Sequence, residues 1–490
     1  MHRTIHHPDN AKALKQTGPL TKKERFILFS SALGLFLYSM DSSLMNLTQP
    51  LIGRYFGIGT SEVSFISTAY LVVAGAGLMI FSQVLNSFDF KKVLIIGYSI
   101  FLLATIACGL SENIWLLIVF RALQGIGGSI LFIGSFIAAS KFLPTPRMGT
   151  AFGVLSASLS GGMAAGFPLG GLLTSVFSWQ SVFFIQIPFI ILAVILAWMA
   201  FPSTQGQSGK YVFDVPGVFA FFVALSSLTF SLSMGENIGW TSTIIVSGFV
   251  LSIIFLFLFI LVELKSRNPF IDLKIFTDKT YSLFLSGRIY ATILQSGNLF
   301  LLPFYLIYLL KLSQAEAGFV MLSYTVLYTM VAPFAGLLAD RFKPERVGFA
   351  ALIELFIACL FFLCVIRNPT ILGVMIFLAL VSIGFAVFFP SNNKLSILFV
   401  PPENRGEATG IMLTIWAIGQ SFGVSTFEVV FASRLSFLDS SSLGVKGDFG
   451  RLSPDILIDS FRAAYFSGFL TVMIAAILTG IALWRIKKSS

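Results

Sequence analysis

The sequence predicts an all-α polytopic membrane protein, a bundle of about fourteen transmembrane helices with no soluble catalytic domain. Composition is the first reason. Of the 490 residues, 56% are hydrophobic and 11% charged, whereas a soluble globular chain carries roughly 25% charged residues. Mean hydropathy is +0.90, and no polar stretch is long enough to be a domain. The second reason is the length of the apolar runs, since a hydrocarbon core of roughly 30 Å needs about 20 helical residues. The third is their texture. They are continuous rather than alternating, which argues against a β-barrel and for helices, the other structure that satisfies its own backbone in lipid.

The spans fall near 26–48, 62–84, 92–110, 114–140, 149–175, 181–201, 213–234, 241–263, 281–309, 315–339, 347–366, 370–396, 406–432 and 463–484. The first is too long for a cleaved signal, and residues 1–25 before it are polar and basic. The third and fourth are separated only by Gly109 to Asn113, where Glu112 and Asn113 would be costly at the bilayer centre. Lys and Arg positions set the orientation. With the N-terminus inside, the arm, the loops on that side and the tail hold most of the cations. Arg54, Lys311, Arg367, Arg434, Lys446, Arg451 and Arg462 fall outside, and Arg121, Arg288 and Lys394 lie within spans. An even span count puts both termini in the cytoplasm. The net charge of +10 reads as topology and contact with anionic membrane lipid. No basic segment is interleaved with aromatics, so nucleic acid is not an expected partner.

Cys108, Cys359 and Cys364 lie in apolar spans at no disulfide or metal-ligand spacing and read as buried small hydrophobes. His6-His7 and one distant histidine make no ligand set, so no metal is expected. HExxH, GxSxG, Walker and selectivity-filter sequences are missing, which argues against an enzyme, an ATP-driven pump and a channel. No cofactor is expected.

A repeat runs through the chain. Gly153, Gly162 and Gly166 of the fifth span match Gly410, Gly419 and Gly423 of the thirteenth at one offset, 257. Residues 82–92, after the second span, resemble 336–346, after the tenth, at offset 254. Span n therefore corresponds to span n+8. The expected organisation is a cytoplasmic arm (1–25), a six-helix bundle (26–201), two inserted helices with linkers (202–280), a second six-helix bundle (281–485) and a cytoplasmic tail (486–490). Parallel halves around a central site are a recurring transporter plan.

Several motifs resemble those of the major facilitator superfamily, within it the fourteen-helix drug:proton antiporter branch (EmrB/QacA type), over nearly all of 26–485. Arg121-Ala-Leu-Gln124-Gly125-Ile-Gly127-Gly128 matches the family's motif B. Met40-Asp41 to Pro50 is similar to the branch's first-span signature. Gly162 to Gly171 resembles the antiporter motif, and Trp179 to Pro188 the tryptophan–proline element after it. Phe213-Asp214 to Gly217 and Pro269 to Phe276 look like landmarks around the inserted helices. Gly336-Leu-Leu-Ala-Asp340-Arg341 is similar to the cytoplasmic motif A. The first-half copy of motif A departs from the pattern: Ser82, Asn86 and Asp89 stand where Gly, Asp and Gly are usual, while Lys91 and Lys92 remain. Phe167 stands where Pro is usual in the antiporter motif, with Pro168 one place on, and Gln180 follows Trp179 where Arg is common.

The resemblance implies a secondary transporter of the bacterial cytoplasmic (inner) membrane, driven by the proton motive force. It would export lipophilic or cationic drugs in exchange for protons. Transport of one specific metabolite, lipid or siderophore by the same fold is the alternative. A carboxylate near the bilayer centre faces a wet cavity or a partner. Asp41 is thus the candidate proton and substrate-cation site, or else a hydrogen-bonded structural aspartate. Arg121, a fixed charge, is its natural partner or else a packing arginine, and Gln124 shares its face at i+3. Gly162, Gly166, Gly170 and Gly171 are close-packing positions, and bending at Pro168 is a candidate outer gate. Asn86, Lys91, Asp340 and Arg341 form the cytoplasmic motif. Arg288 and Glu354 read as anchors or packing residues. Glu428 is an anchor, a packing residue or a second acidic site. Asp41 maps near Leu294 and Gln295 in the second half, so proton coupling is expected in the first. The outer segment 434–461 is a tether, a shield over the outer exit or a contact for a periplasmic adaptor protein. Substrate, proton and lipid are the expected partners, and the sequence assigns no oligomeric state.

Overall fold

The computed structural model describes residues 21–143, 148–203, 215–265, 278–398, 405–438 and 452–489, and every regular element among them is helical. The helices are α1 Lys22–Phe56, α2 Thr60–Ser87, α3 Phe90–Gly109, α4 Ile114–Phe142, α5 Met148–Val176, α6 Ile187–Ala200, α7 Val215–Ile238, α8 Thr243–Lys265, α9 Lys279–Phe304, α10 Gln314–Arg341, α11 Pro344–Val365, α12 Ile371–Leu398, α13 Arg405–Leu438 and α14 Pro454–Ser489. A one-turn helix, Ser181–Phe184, leads into α6 and completes the sixth span. Thirteen spans are long and apolar enough to cross a membrane. The other helix, α7, has the shorter apolar stretch Pro216–Leu232 among its described residues. His6, His7, Arg147, Phe213, Asp214 and the landmark 269–276 lie outside the described residues.

Local chemistry sets the helix ends. Gly57, at φ 61°, takes the left-handed turn that closes α1, its N–H bonding to Gly53 O. Asp89, one of the departures from motif A, caps α3 by accepting the Lys91 N–H at 3.0 Å. Asn113 does the same for α4 from Leu116 N–H at 2.9 Å, so the short break after Gly109 is real. α13 and α14 together shorten the outer segment expected at 434–461. α13 runs to Leu438, and α14 starts at Pro454 with Asp455 in its first turn, a helix start written in polar residues that hydropathy ignores. Cys108 and Cys359 are buried as expected, but Cys364 is exposed on α11.

The repeat is visible in the contacts. A Cβ on Gly166 would lie 2.8 Å from Met40 O and run into Ser43 Oγ; one on Gly162 would run into Phe36 O and Ser39 Oγ. The small residues thus bring the α5 backbone against α1. In the second half a Cβ on Gly423 would lie 2.5 Å from Ile293 O and one on Gly419 2.8 Å from Thr292 Cβ, so α13 lies against α9 in the same way. The partners on α1 and α9 are 253 apart in sequence, one less than the offset between α2 and α10. Similarly, Gly125 of α4 would place a Cβ 2.7 Å from Tyr70 O, while Ser382, 257 residues on, donates to Tyr324 O at 2.6 Å. Between the halves, α7 lays Phe221 and Leu225 against Val72 and Ala76 of α2 and Ile415 of α13. The pair α7 and α8 therefore covers one seam, with α8 outermost.

The side holding the start of α1 and the end of α14 is here the terminal side; the other is the far side. On the far side the halves are tied together. Tyr308 donates to Pro50 O at 3.2 Å. A Cβ on Gly318 would lie 2.6 Å from Phe167 O, and Gly171 packs on the Gln314 carbonyl. Tyr308 sits on a π-helical turn, Tyr305–Leu309, that follows Pro303 at the end of α9. On the terminal side no such contact between α5 and α10 is found among the described residues. Phe152 and Val154 are exposed, as are Met330 (63%) and Phe334 (71%). Among the described residues, the close contacts that tie α5 to α10 lie on the far side.

Candidate functional site

Motif B builds the site through its glycines. Gly127 brings α4 to 2.6 Å from Phe101 N, measured from a hypothetical Cβ, and Gly128 to 2.7 Å from the Tyr70 hydroxyl. With Gly125 on Tyr70 O, these approaches lay α4 against α2 and α3. They set the Tyr70 ring 4.3 Å from the Arg121 guanidinium carbon. Thr105 comes into range of Gln124 in the same way.

Asp41 projects into this junction from α1 and is buried, as are Arg121, Gln124, Gln186 and Thr105. Arg121 Nη1 donates to Asp41 Oδ2 at 2.8 Å and to Gln124 Oε1 at 2.6 Å. Gln124 Nε2 donates to Asp41 Oδ1 at 3.1 Å and to Thr105 Oγ1 at 2.8 Å. Gln186 Nε2 adds a third donor to the carboxylate at Oδ1, 3.2 Å, while holding Val182 O at 2.9 Å. Idealised transfer of a lone carboxylate to an apolar interior costs tens of kcal/mol, so such a group pairs or takes up a proton. Here one fixed cation and two carboxamides answer it. Four spans meet on one carboxyl group or on a residue bonded to it.

Asp41, Arg121 and Gln124 are thus brought together as their spacing predicts. Gln186 was not foreseen. It lies at the break before α6, two residues ahead of Pro188, and Trp179 anchors the lead-in turn on Tyr55 and Phe56 at the end of α1. Its only sequence signal is its place in the tryptophan–proline element.

Glu428 stands apart. It is buried at the far side of α13, where Thr60 and Ser61 of α2 donate to its Oε1 at 3.2 and 2.5 Å, so it links the halves. Gly162, Gly166 and Gly170 line the α1 contact, Gly171 faces α10, and Pro168 sits inside an unbroken α5. Lys91 lies 5.1 Å from the Trp198 ring centroid. Arg341 is exposed and lines a cleft of about 450 Å³ with Lys343 and Arg346. The side chains of Asn86 and Asp340 lie outside the described residues. Among the described residues no cluster of His, Cys, Asp and Glu can hold a metal ion.

The repeat leaves the second half without this chemistry. The counterparts of Asp41, Arg121 and Gln124, by the offsets of their helices, are Leu294, Leu378 and Val381, all buried in one apolar core.

Two repeated helical halves, with a buried charged pair inside one of them, follow a plan that recurs among membrane transporters. The profile of the Major Facilitator Superfamily matches residues 31–424 and 284–490, and the chain belongs to that family. It is 28% identical to the riboflavin transporter RibZ of Clostridioides difficile over 416 residues, 85% of this chain and 90% of that one. It is 27% identical to the multidrug resistance protein Stp of Mycobacterium tuberculosis (strain H37Rv) over 418 residues, covering 85% and 78%. To the tetracenomycin C resistance and export protein of Streptomyces glaucescens it is 24% identical over 410 residues, covering 83% and 76%. Among solved structures it resembles a bacterial homolog of the human lysosomal transporter Spinster, inward-facing and unoccupied. The TM-score there is 0.69 at 14% identity, with 95% and 98% of the chains covered. The D-xylose–proton symporter gives 0.64 at 14% identity, covering 88% and 97%.

Proposed function

We propose that this member of the superfamily exports lipophilic compounds from the cytoplasm in exchange for protons, in the fourteen-helix branch. Both termini would be cytoplasmic, in a bacterial cytoplasmic membrane. The observation that carries this reading is the buried Asp41–Arg121 pair at 2.8 Å. Protonation of Asp41 removes the attraction that holds α1 to α4 and α6. α1 also carries Pro50, gripped from the second half by Tyr308, so a shift of α1 reaches the far-side closure. Proton entry and opening of the far side are then linked, and by reciprocity so are proton release and substrate capture on the terminal side. Because Arg121 occupies Asp41, apolar contact rather than a free carboxylate selects the substrate in this scheme. The multidrug and tetracenomycin relatives favour it; the riboflavin relative favours a second reading, one specific metabolite.

Everted vesicles under an imposed pH gradient test both. Wild type is expected to dissipate the gradient when a panel of lipophilic drugs is added, and Asp41→Asn is not. Exchange that persists in Asp41→Asn would make the aspartate structural. A folded wild type that ignores the panel but responds to riboflavin would favour the specific-metabolite reading.

A further inference from the structure

The second half contains a buried cation that the proton mechanism leaves unused. Arg288 lies on α9, nine residues from Lys279 and so about 14 Å along the axis, in the terminal half of the bundle. It is 4% exposed. Its Nη1 donates to Asn393 Oδ1 at 2.6 Å and to Asn392 Oδ1 at 3.2 Å, and its guanidinium carbon lies 5.2 Å from the Phe389 ring centroid. Nε is buried and makes no hydrogen bond among the described residues, and no hydrogen bond from Nη2 is found there. All of these partners are neutral. Arg121 is buried as deeply but has Asp41; Arg288 has no described carboxylate, and a buried charge left uncompensated is costly.

The unused donors share one edge. Nε–H and one Nη2–H of a guanidinium point in parallel, at the spacing of two oxygens of a carboxylate or phosphate. The side chains around Arg288, Tyr328 among them, suit a mixed molecule. Asn393 and Tyr328 are half-buried, Tyr328 lies 6.4 Å from Tyr324 between ring centroids, and Gln295 donates to the Tyr324 hydroxyl at 3.0 Å. The repeat does not demand an arginine here, since its counterpart in the first half is Leu35, buried in an apolar core.

We infer that the Nε/Nη2 fork of Arg288, steadied by Asn392 and Asn393 and flanked by Tyr328, is a subsite for an oxyanion of the transported molecule. The transported class is then amphiphiles that pair a ring system with a carboxylate or a group of like shape. The inference rests on the export reading only in taking the ligand to be the cargo.

The test uses the full chain in phosphatidylcholine nanodiscs with no proton gradient. Affinities for 2-naphthoate and its uncharged isostere 2-naphthamide are read from ligand-dependent shifts in thermal unfolding. Wild type should bind the naphthoate at least about tenfold more tightly, the scale of one charge-assisted pair. Arg288→Gln should erase that preference and Arg288→Lys keep part of it. Equal affinities in wild type, or a preference that survives Arg288→Gln, would overturn the subsite. A second measurement needs no variant: naphthoate, and not naphthamide, should slow phenylglyoxal modification of Arg288 as read by peptide mass spectrometry, and an unchanged rate counts against the site. Discs containing phosphatidylglycerol separate the sources of the anion. If that lipid protects Arg288 and naphthoate does not, the fork belongs to a headgroup and the cargo assignment is wrong. An anion preference without proton coupling would sink the exchange reading alone; proton-coupled export with no such preference would sink the subsite alone.

Discussion

Asp41, Arg121, Gln124 and Gln186 form a network in which every member has a separable duty. Arg121 neutralises Asp41, Gln124 bonds both, and Gln186 reaches the carboxylate from another span. Removing the cation alone strands a carboxylate in the interior, and breaking a buried pair in this way costs about 3–5 kcal/mol. Removing both charges strands nothing. Arg121→Leu should therefore lower the thermal midpoint sharply, while Asp41→Asn with Arg121→Leu recovers most of it and still fails to move protons. Thermal unfolding beside the vesicle assay reads both quantities. A double variant as unstable as Arg121→Leu would mean that the arginine acts by packing on Tyr70 rather than by charge. Part of this network is legible in the sequence, because charged residues inside apolar spans announce themselves and i,i+3 spacing puts Gln124 beside Arg121. Gln186 is not, since an uncharged amide in an apolar run gains meaning only when α6 is placed against α1.

At the level of elements, the glycines separate into two kinds that spacing alone does not distinguish. Gly162, Gly166, Gly419 and Gly423 are where one backbone lies on another, whereas nothing comes within 4 Å of a Cβ at Gly153. The shared offset of 257 correctly pairs α5 with α13 but says nothing about contact, and it hides the different offset of 253 between the helices they pack on. One residue of that difference enters between α1 and α2, and the other three before α4. Helix propensity favours alanine over glycine by about 1 kcal/mol, and at Gly153 that gain should appear as an unchanged or higher thermal midpoint for Gly153→Ala. At Gly166 the new methyl meets the Met40 carbonyl, and overpacking of this kind costs about 1–3 kcal/mol. Gly166→Ala should then lower the midpoint and, by displacing α1 beside Asp41, slow proton-coupled transport. Equal midpoints for the two variants would show that α5 yields and that the close approach carries no weight.

The whole molecule is shut on one side by a few contacts, which makes its state adjustable by single residues. The sequence pointed to Glu428 as an anchor or a second acidic site. Its position bears on closure: Thr60 and Ser61 of one half both donate to it from the other, at the side where Tyr308 and Gly318 also bridge. Sequence pattern cannot show this, because the partners are 367 and 368 residues apart. In the closed state Glu428→Leu leaves those two hydroxyls without this acceptor, at about 1–3 kcal/mol for each buried donor left unsatisfied. In a far-side-open state the same hydroxyls reach water and lose little. The balance should therefore move toward far-side opening by about tenfold or more. Ala317 reports it, being fully buried beside Gly318 in the core that joins Leu47, Val63 and Phe167 to the second half. In a chain with Cys108, Cys359 and Cys364 replaced by serine, Ala317→Cys should react slowly with a membrane-impermeant maleimide applied from the far side. Adding Glu428→Leu should speed that reaction by about the same factor. If the rate does not change, the closure does not depend on Glu428, and the Tyr308 and Gly318 contacts hold the far side without it.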